Sequence, residues 1–386
     1  MKKLAIIHTH PVQYNSPLFK KIAEDTEINL KVFYTWSQAK DGFFDPKFGR
    51  EIKWDIPLLE GYEYEFVENT AKNPGSSGFF GVVNPDLIKK IRQFSPDAIL
   101  VYGWNHYSHL RAMQYFHNKI PVLFRGDSTL LDEQPGIKTL LRRVILKFVY
   151  SFVDYALYVG TANKEYFIKH GLKEEQLFFA PHAIENERFE DKDGNYTQQA
   201  EQWKKQLKIG QNEIVFLFAG KLEPKKNPLL LLRAFKKLNK PQTKLIFIGN
   251  GQLENQLKSE AQGDDRIIFL PFQNQSKMPV VYRLADVFVL PSAYNETWGL
   301  AVNEAMASAR PVIVSNKVGC AYDLVKDGEN GYIIKSGDID DLARKMSFFE
   351  KENSKKAGQN SLRIIQEWNY DKTTEAIKTI LRHSKK

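Results

Sequence analysis

Cysteine is almost absent from this 386-residue sequence, in which Cys320 is the only one. A lone cysteine excludes a disulfide within the chain and a zinc site built from several thiolates. Long hydrophobic runs are also lacking. The apolar stretch at residues 4–7 ends at His8 and is too short for the core of a signal peptide or for a membrane span. We therefore expect a cytoplasmic protein.

Acidic residues are in the minority, with 46 Asp and Glu against 55 Lys and Arg, which leaves a net charge of +9. A basic chain favours negatively charged partners such as nucleotides, anionic lipid surfaces or nucleic acid, although a basic surface without any partner has the same composition. Because no nucleic-acid-binding module or RNA-binding aromatic motif is found, nucleic acid is not an expected partner. The hydrophobic content of 42% is typical of a globular enzyme.

Short runs rich in β-branched and aromatic residues alternate with amphipathic helical patterns. In the first half, the predicted strands are KLAIIHT, LKVFYTW, YEYEFV, DAILVYGW, IPVLFRG, YALYVGT and QLFFAPH. In the second half, they are IVFLFAGK, KLIFIGNG, RIIFLPF, VFVLPS, RPVIVSN and NGYIIKS. Continuous apolar strands separated by helices indicate parallel sheets that are covered on both faces. Since the chain is too long for one ordinary core, we predict an α/β protein with two Rossmann-like doubly wound domains facing a cleft.

The polar stretch at residues 190–213 has no strand pattern and indicates a linker with one solvent-facing helix. We predict an amino-terminal domain over residues 1–195 and a carboxyl-terminal domain over residues 205–369. The last stretch, residues 370–386, is predicted to form a helix that joins the amino-terminal domain. In open parallel sheets, ligands bind beyond the carboxyl ends of the strands, so the loops after the strands are the candidate sites.

The stretch NETWGLAVNEA follows a predicted strand and starts a predicted helix. If the helix begins near Gly299, the free N–H groups of residues 297–300 and the helix dipole favour an anion such as phosphate. Glu296 and Glu304 would bracket that anion and accept hydrogen bonds from hydroxyl groups on either side of a diphosphate. The alternative is that Glu296 is an ordinary loop residue and Glu304 interacts with the helix dipole.

Two other strand-end loops have residues that suit a diphosphate. FLFAGKLEPKKNP places Lys221 at the end of a strand and Lys225 and Lys226 before the next helix, where cations would counter two phosphate charges. A solvated lysine run is the alternative, and we prefer it for Lys225. FIGNGQLENQL contains Gly249 and Gly251, which allow a tight turn and close approach of the backbone.

These segments resemble a known family. AGKLEPKKNP, GNGQLENQL, LPSAYNETWGLAVNEAMASARPVIVS and NGYII occur in this order, and the chain is similar to the retaining glycosyltransferases of family 4, with the GT-B fold, of the type that builds bacterial surface polysaccharides. The resemblance implies a metal-independent hexosyltransferase that needs no cofactor. Its donor would be a nucleotide sugar such as a UDP- or GDP-sugar, and its acceptor a hydroxyl of a glycan or lipid-linked oligosaccharide.

The resemblance also implies roles for individual residues. Glu296 matches the glutamate that contacts the donor sugar, and Glu304 matches the one that binds the ribose hydroxyls. Lys221, where the family usually has arginine, and Lys226 would neutralise the diphosphate. The other donor-site residues that it implies are Thr297, Trp298, Gly299, Leu300, Gly249 and Phe272. Of these, Phe272 lies where the family binds the base, and Thr297 and Trp298 replace a commoner Gly-Phe pair and would narrow the choice of sugar.

The amino-terminal half resembles the family less closely. In YGWNHYSHLRAM, His106 falls near a histidine that relatives place beside the transferred sugar, whereas the alternative is that His106 and His109 merely line the cleft wall. In FRGDS, Arg125 and Asp127 suit an acceptor, and a structural salt bridge is equally possible. With His109, these two residues form the candidate acceptor site.

Other patterns have plainer interpretations. The string DIDD at residues 338–341 resembles a metal motif of a different glycosyltransferase fold, but Asp338 is more simply a helix cap. The basic apolar segment at residues 138–153 would suit peripheral binding to anionic lipid at the inner face of the plasma membrane, or a helix packed within a domain. A non-catalytic sugar-nucleotide-binding protein and a GT-B sugar-nucleotide epimerase are the alternative functions.

Overall fold

The computed structural model describes residues 1–39, 43–45, 50–52 and 54–383. The chain divides into two compact units. The amino-terminal unit comprises Met1–Phe43, Glu51–His182 and Tyr370–Lys386, and the carboxyl-terminal unit comprises Phe44–Arg50 and Ala183–Asn369.

Strands and helices alternate through both units. The strands up to the division are β1 (Lys2–His8), β2 (Ile28–Tyr34), β3 (Phe43–Asp45), β4 (Arg50–Ile52), β5 (Glu63–Phe66), β6 (Ala98–Tyr102), β7 (Val122–Arg125), β8 (Tyr155–Tyr158) and β9 (Leu177–Phe179). The later strands are β10 (Ile214–Ala219), β11 (Thr243–Ile248), β12 (Ile267–Leu270), β13 (Val287–Leu290), β14 (Val312–Ser315) and β15 (Gly331–Ile334). Every strand predicted from the sequence is present, and the structure adds the short pair β3 and β4.

The helices cover the sheets. Those before the division are α1 (Ser16–Ala23), α2 (Leu87–Phe94), α3 (Tyr107–Phe116), α4 (Ile137–Tyr150) and α5 (Thr161–Lys169). Those after it are α6 (Asn186–Phe189), α7 (Asn195–Gln206), α8 (Pro228–Leu238), α9 (Glu254–Ala261), α10 (Met278–Arg283), α11 (Leu300–Ala307), α12 (Ala321–Leu324), α13 (Ile339–Ser347), α14 (Lys351–Gln366) and α15 (Tyr370–His383). Short 3₁₀ turns lie at Ser37–Ala39, Phe79–Gly81, Glu174–Gln176 and Pro224–Lys226.

Both main sheets are parallel. The amino-terminal unit has seven strands in the order β5-β2-β1-β6-β7-β8-β9, and the carboxyl-terminal unit has six in the order β12-β11-β10-β13-β14-β15. The central strands are buried along their whole length, as all six residues of β10 show. Burial on both faces explains why these strands appear in the sequence as continuous apolar runs.

The carboxyl-terminal helix α15 packs on the amino-terminal unit. Its Ile377, Ile380 and Leu381 are buried in one cluster with Leu4 and Ile6 of β1. The last helix therefore completes the core of the unit that contains the first strand.

The division falls between His182 and Ala183, ahead of the polar stretch at residues 190–213 in which the sequence placed the boundary. That stretch contains α7, which belongs to the carboxyl-terminal unit. Ala200 of α7 is buried, and Gln199 accepts a hydrogen bond from Lys277 beside α10 at 3.1 Å. The polar composition that we interpreted as a linker therefore belongs to a helix that is mostly exposed to solvent.

One smaller sequence prediction also has an outcome. Asp338 caps α13, because its Oδ1 accepts a hydrogen bond from the N–H of Asp341 at 2.9 Å, as predicted. Within the described part of the chain, none of the helices combines the length and the apolar character that crossing a bilayer requires.

Candidate functional site

The candidate site begins at the carboxyl ends of three neighbouring strands in the carboxyl-terminal unit. β10 lies between β11 and β13, so the loops that follow these strands lie side by side. The loop after β10 and the loop after β13 are joined by a hydrogen bond from the N–H of Ala293 to the carbonyl of Lys225, at 2.7 Å. This is the edge at which ligands bind in open parallel sheets.

Lys226 and Glu296 form a buried ion pair at this edge. Lys226 Nζ lies 2.5 Å from Glu296 Oε2, and the two side chains are 17% and 9% exposed. The Ser292 hydroxyl donates to the same oxygen at 3.0 Å. Burial by itself would raise the pKa of the Glu296 carboxyl, but the charge and hydrogen bond of Lys226 hold that pKa below its usual value. Glu296 is therefore an ionised carboxylate in a partly dry site.

The backbone around Glu296 is held by a segment that the sequence analysis did not select. The N–H of Gly319 donates to the carbonyl of Glu296 at 2.9 Å, and the N–H of Cys320 donates to the carbonyl of Trp298 at 3.1 Å. A Cβ at Gly319 would lie 1.8 Å from the carbonyl oxygen of Thr297. Glycine is needed here because the two backbones touch, and no sequence pattern pointed to this contact.

Helix α11 starts directly after the predicted glycine. Gly299 has a φ of 99° and ψ of 56°, a left-handed conformation that suits glycine, and Leu300 is the first helical residue. The Cβ that another residue would have at Gly299 would lie 2.8 Å from Cγ1 of Val318. Thr297 and Gly299 thus lie directly before α11 and Leu300 begins it, and the start of a helix favours an anion.

Glu304 lies further along α11 and is 2% exposed. The hydroxyl of Tyr282, on α10, donates to Glu304 Oε2 at 2.6 Å. A buried carboxylate needs hydrogen-bond donors, and Tyr282 supplies one from a helix that is remote in sequence. Sequence reasoning identified Glu304 and missed Tyr282. The sequence of a mostly apolar helix does not show which group the hydroxyl of its tyrosine contacts.

The loop after β11, which contains Gly249 and Gly251, lies against the backbone of the loop after β10. The Cβ atoms that other residues would have at Gly249 and Gly251 would lie 2.1 and 2.5 Å from the carbonyl oxygens of Gly220 and Leu222. Asn250, between the glycines, accepts a hydrogen bond from the N–H of Phe272 at 3.1 Å on its side-chain oxygen. The close approach predicted for Gly249 is therefore present, and it joins the loops after β10, β11 and β12.

The sequence predicts that the Trp298 side chain narrows the choice of sugar, whereas the structure buries this side chain. The indole is 3% exposed, its Nε1–H donates to Asn303 at 2.9 Å, and its ring lies 5.3 Å from the ring of Trp368. The side chain is thus packed inside the unit, where it supports the first turn of α11. An effect on the sugar would have to act through this packing.

Comparison with known proteins finds a family model that matches most of this unit. Residues 199–363 match the family described as glycosyl transferases group 1. All of the matched residues lie in the carboxyl-terminal unit. The glycosyltransferase resemblance seen in the sequence motifs is therefore confirmed, and the matched segment contains Lys221, Lys226, Glu296 and Glu304.

Relatives of known description match over part of their length. The UDP-Gal:alpha-D-GlcNAc-diphosphoundecaprenol alpha-1,3-galactosyltransferase of Escherichia coli is 37% identical over 142 residues, which are 35% of this chain and 36% of that protein. The D-inositol 3-phosphate glycosyltransferase of Mycobacterium marinum is 29% identical over 183 residues, 44% of this chain and 38% of that protein. This chain thus spans little more than a third of the length of each.

Solved structures match over the whole chain. Anabaena Alr3699/HepE in complex with UDP and glucose has a TM-score of 0.72 at 20% identity, with 100% of both chains covered. The sucrose-phosphate synthase of Thermosynechococcus elongatus has a TM-score of 0.70 at 17% identity, with 99% of this chain and 98% of that chain covered. The fold is therefore that of the GT-B glycosyltransferases, and the two predicted Rossmann-like domains are confirmed.

The two further lysines of the glycosyl transferases group 1 segment lie on the loop after β10. Lys221 is half-buried at the end of the strand. Lys225 Nζ lies 3.8 Å from Glu223 Oε1, and its positive charge also helps to lower the pKa of Glu296. Three lysines therefore lie on the loop that approaches the amino-terminal end of α11.

In the amino-terminal unit, His109 is a buried structural histidine. Its Nδ1 lies 3.1 and 3.0 Å from the carbonyl oxygens of Tyr102 and Gly103, and its Nε2 lies 2.9 Å from the Thr35 hydroxyl. Burial, followed by the charge of nearby His106, lowers the pKa of His109 to about 4. The neutral ring donates from Nδ1 and accepts at Nε2, so both nitrogens are already used by the protein.

His106 lies directly before α3 and is 3% exposed. Its Nδ1 is 3.4 Å from the carbonyl oxygen of Gly78, and its ring is 5.2 Å from that of His109. Burial lowers the pKa of His106, so the ring is neutral near pH 7. The structure brings the two histidines together at the carboxyl end of β6.

No ion pair joins Arg125 to Asp127 among the described residues. The buried guanidinium of Arg125 donates to the carbonyls of Ala180 and Pro181 at 2.8 and 3.1 Å. The carboxylate of Asp127 is half-exposed and lies 4.0 Å from Nε2 of His182. Arg125 thus anchors the backbone after β9, while Asp127 is the more accessible of the two.

The described residues contain no group of three or more His, Cys, Asp or Glu side chains arranged to hold a metal ion. Cys320 is fully buried, and burial, followed by the charge of Glu296, raises the pKa of its thiol well above the usual value.

Proposed function

We propose that the protein is a retaining, metal-independent glycosyltransferase. It moves a sugar from a nucleotide-diphosphate sugar to a hydroxyl of a glycan or lipid-linked acceptor, in the synthesis of a surface polysaccharide. The observation that supports this most is the buried Lys226–Glu296 ion pair beside the first turn of α11. A cation and a carboxylate meet beside the start of a helix, where the helix dipole favours an anion, and this combination suits a sugar joined to a diphosphate.

Each group has a separate part in the proposed reaction. Lys226, Lys221 and the N–H groups before α11 bind the diphosphate and stabilise the negative charge that grows on it as the sugar leaves. Glu296 accepts hydrogen bonds from hydroxyls of the donor sugar and orients it. Glu304, with Tyr282 behind it, accepts from the ribose hydroxyls. When the donor binds, the diphosphate competes with Glu296 for Lys226.

The acceptor hydroxyl is proposed to attack the anomeric carbon on the face from which the diphosphate leaves. The C–O bond to the diphosphate breaks, the new C–O bond forms, and the leaving diphosphate oxygen takes the acceptor proton. No protein nucleophile and no cofactor is needed. The protein contributes positioning and charge stabilisation.

The name of one relative suggests which donor and acceptor to propose. The E. coli relative is named for UDP-galactose and a diphosphoundecaprenol-linked acceptor. We therefore propose a UDP-sugar as the donor and a lipid-linked saccharide as the acceptor.

The test combines binding and turnover. Thermal unfolding would be followed with UDP-, GDP- and ADP-sugars, with and without EDTA. A ligand at about 100 times its dissociation constant adds about 2.7 kcal/mol, which raises Tm by a few degrees. We expect a UDP-selective, EDTA-insensitive shift, followed by sugar transfer to a polyprenyl-diphosphate-linked saccharide with retention of the anomeric configuration.

The outcomes separate the alternatives. A shift without transfer to any acceptor would indicate a non-catalytic sugar-nucleotide-binding protein, and conversion of the donor sugar itself would indicate an epimerase. Lys226→Ala should abolish the shift, whereas Lys225→Ala, which removes a neighbouring lysine of the same loop, should reduce it less. Equal shifts in both variants would contradict the role of Lys226.

A further inference from the structure

The helix α4 exposes an apolar stripe that the proposed sugar transfer does not explain. Six of its side chains are between 53% and 79% exposed: Ile137, Leu140, Leu141, Val144, Ile145 and Phe148. With about 100° of rotation per residue, they fall on one face about 140° wide. Exposed apolar side chains grouped in this way mark an interaction surface rather than scattered surface residues.

The opposite face fixes the helix to the protein. Leu146, Val149 and Tyr150 are buried in the core of the amino-terminal unit, where the ring of Tyr150 lies 5.5 Å from that of Phe124. The helix therefore does not need its exposed stripe for packing. Its 14 residues span about 21 Å, with the stripe along the whole length.

Basic side chains border the stripe on both sides. Lys138 and Arg142 project along one border, and Arg143 and Lys147 along the other. Arg143 pairs with Glu133, and Arg142 donates to the hydroxyl of Tyr166 at 3.1 Å. Lys138 and Lys147 are exposed and have no ion pair among the residues that the structure describes. Helix α4 itself contains no Asp or Glu.

We propose that α4 binds the surface of an anionic lipid bilayer. The apolar stripe would enter the boundary between headgroups and acyl chains, with the helix parallel to the membrane plane, and Lys138 and Lys147 would contact anionic headgroups. This inference does not rest on the proposed sugar transfer.

Charge favours a bilayer over a second copy of the chain. In a two-fold dimer the stripe would pack against itself, so the basic borders of one helix would face those of the other without any carboxylate from α4 between them. A surface of anionic headgroups satisfies the apolar stripe and its basic borders together.

The first experiment measures flotation of the full chain with phosphatidylcholine vesicles, with and without phosphatidylglycerol. We expect binding that needs the anionic lipid and weakens at high salt. Lys138→Gln and Lys147→Gln should each reduce partitioning about fivefold. The double variant Val144→Glu with Phe148→Glu should reduce it at least tenfold. The control is Tyr322→Glu in the other unit, because Tyr322 is 63% exposed and Phe148 is 58% exposed.

The second experiment reports whether the stripe itself enters the lipid. Because Cys320 is fully buried, a Val144→Cys variant can be labelled selectively with an environment-sensitive dye. We expect a blue shift with anionic vesicles and none with neutral ones. No binding to anionic vesicles, or equal binding of the double glutamate variant, would overturn the proposal. A wild-type dimer that this variant dissociates, without vesicle binding, would assign the stripe to a second copy instead.

Discussion

The carboxylate of Glu296 is 9% exposed and is held in its charged form by the charges of Lys226 and Lys225 and by the hydroxyl of Ser292. Its charge is therefore set by its neighbours rather than by solvent. When one charged side chain in such a site is made neutral, its own hydrogen bonds change. The pKa values of the ionisable groups that remain change as well.

Glu296→Gln keeps the shape of the side chain and removes its charge. A neutral amide accepts hydrogen bonds from sugar hydroxyls more weakly, and a hydrogen bond to a charged group contributes about 1.5–3 kcal/mol. We expect kcat for sugar transfer to fall about 10- to 100-fold. Ser292→Ala is the matched control, since it removes one hydrogen bond to Glu296 but leaves the charge. Full activity in Glu296→Gln would exclude the proposed contact with the donor sugar.

Lys226→Gln should change how stability depends on pH. In the wild type, the pKa of Glu296 lies below its ordinary value of 4.5, so the ionised carboxylate stabilises the folded state above that pH. This stabilisation is lost as pH falls through the folded-state pKa. Without Lys226, burial dominates and raises the pKa of Glu296 above 4.5, so the charged carboxylate destabilises the variant as pH rises.

The difference in unfolding free energy between wild type and Lys226→Gln is therefore expected to grow from acid to neutral pH. Each unit of altered pKa contributes about 1.4 kcal/mol. Urea unfolding between pH 3.5 and 7 measures it, with Lys225→Gln as the control lysine. A difference that stays constant over this range would show that Lys226 does not control the ionisation of Glu296.

At the scale of elements, the site depends on loops that touch through their backbones. The segment with Gly319 and Cys320 supports the turn from Glu296 to Gly299, and the Gly249–Gly251 loop supports the turn after β10. Side chains at these glycines would push the loops apart. The position of the Lys226–Glu296 ion pair therefore depends on backbone contacts between these loops.

Gly319→Ala tests this dependence. The added methyl group would lie 1.8 Å from the carbonyl oxygen of Thr297, so the turn that contains Glu296 has to move. We expect a loss of about 1–3 kcal/mol of stability, as for overpacking, together with weaker binding of the nucleotide sugar. Gly75→Ala is the control, because a Cβ there meets no atom within 4 Å. Unchanged donor affinity in Gly319→Ala would show that the turn tolerates the displacement.

At the scale of the whole molecule, the two units differ in their titratable groups. All eight histidines of the sequence lie in the amino-terminal unit. Burial, the largest cause in each case, lowers the pKa of His10, His109 and His182 to about 4. The carboxyl-terminal unit contains no histidine, so no histidine titrates there.

We therefore expect the amino-terminal unit to lose stability on mild acidification. A folded-state pKa below the unfolded value of 6.5 means that the unfolded chain binds protons more readily, so stability falls as pH drops from 6.5 towards 4. At pH 5, His109 alone contributes a loss of about 2 kcal/mol.

Hydrogen exchange at pH 7 and pH 5, corrected for the intrinsic exchange rate, measures this effect separately in each unit. Peptides from β1, β6 and β7 should lose protection at pH 5, while peptides from β10, β13 and β14 keep it. The same experiment on His109→Asn tests how much of the effect belongs to that residue. An equal loss of protection in both units would contradict the prediction.

Features that depend on local pattern could be predicted from the sequence alone. The strands were predictable because parallel strands buried on both faces are continuously apolar, and Asp338 was predictable as a cap because a cap acts within one helical turn. The start of α11 directly after Gly299 was predictable from the order of residue types in one short segment, whereas the role of Glu296 stays a prediction.

Which groups from distant parts of the sequence come into contact depends on the tertiary fold. Lys226 reaches Glu296 because β13 lies beside β10, and Tyr282 reaches Glu304 because α10 packs near α11. The buried position of Trp298 depends likewise on Trp368. For α4, the sequence shows apolar residues on several sides, and packing alone selects the face that is buried. Such contacts join segments that are remote in sequence, so no local pattern encodes them.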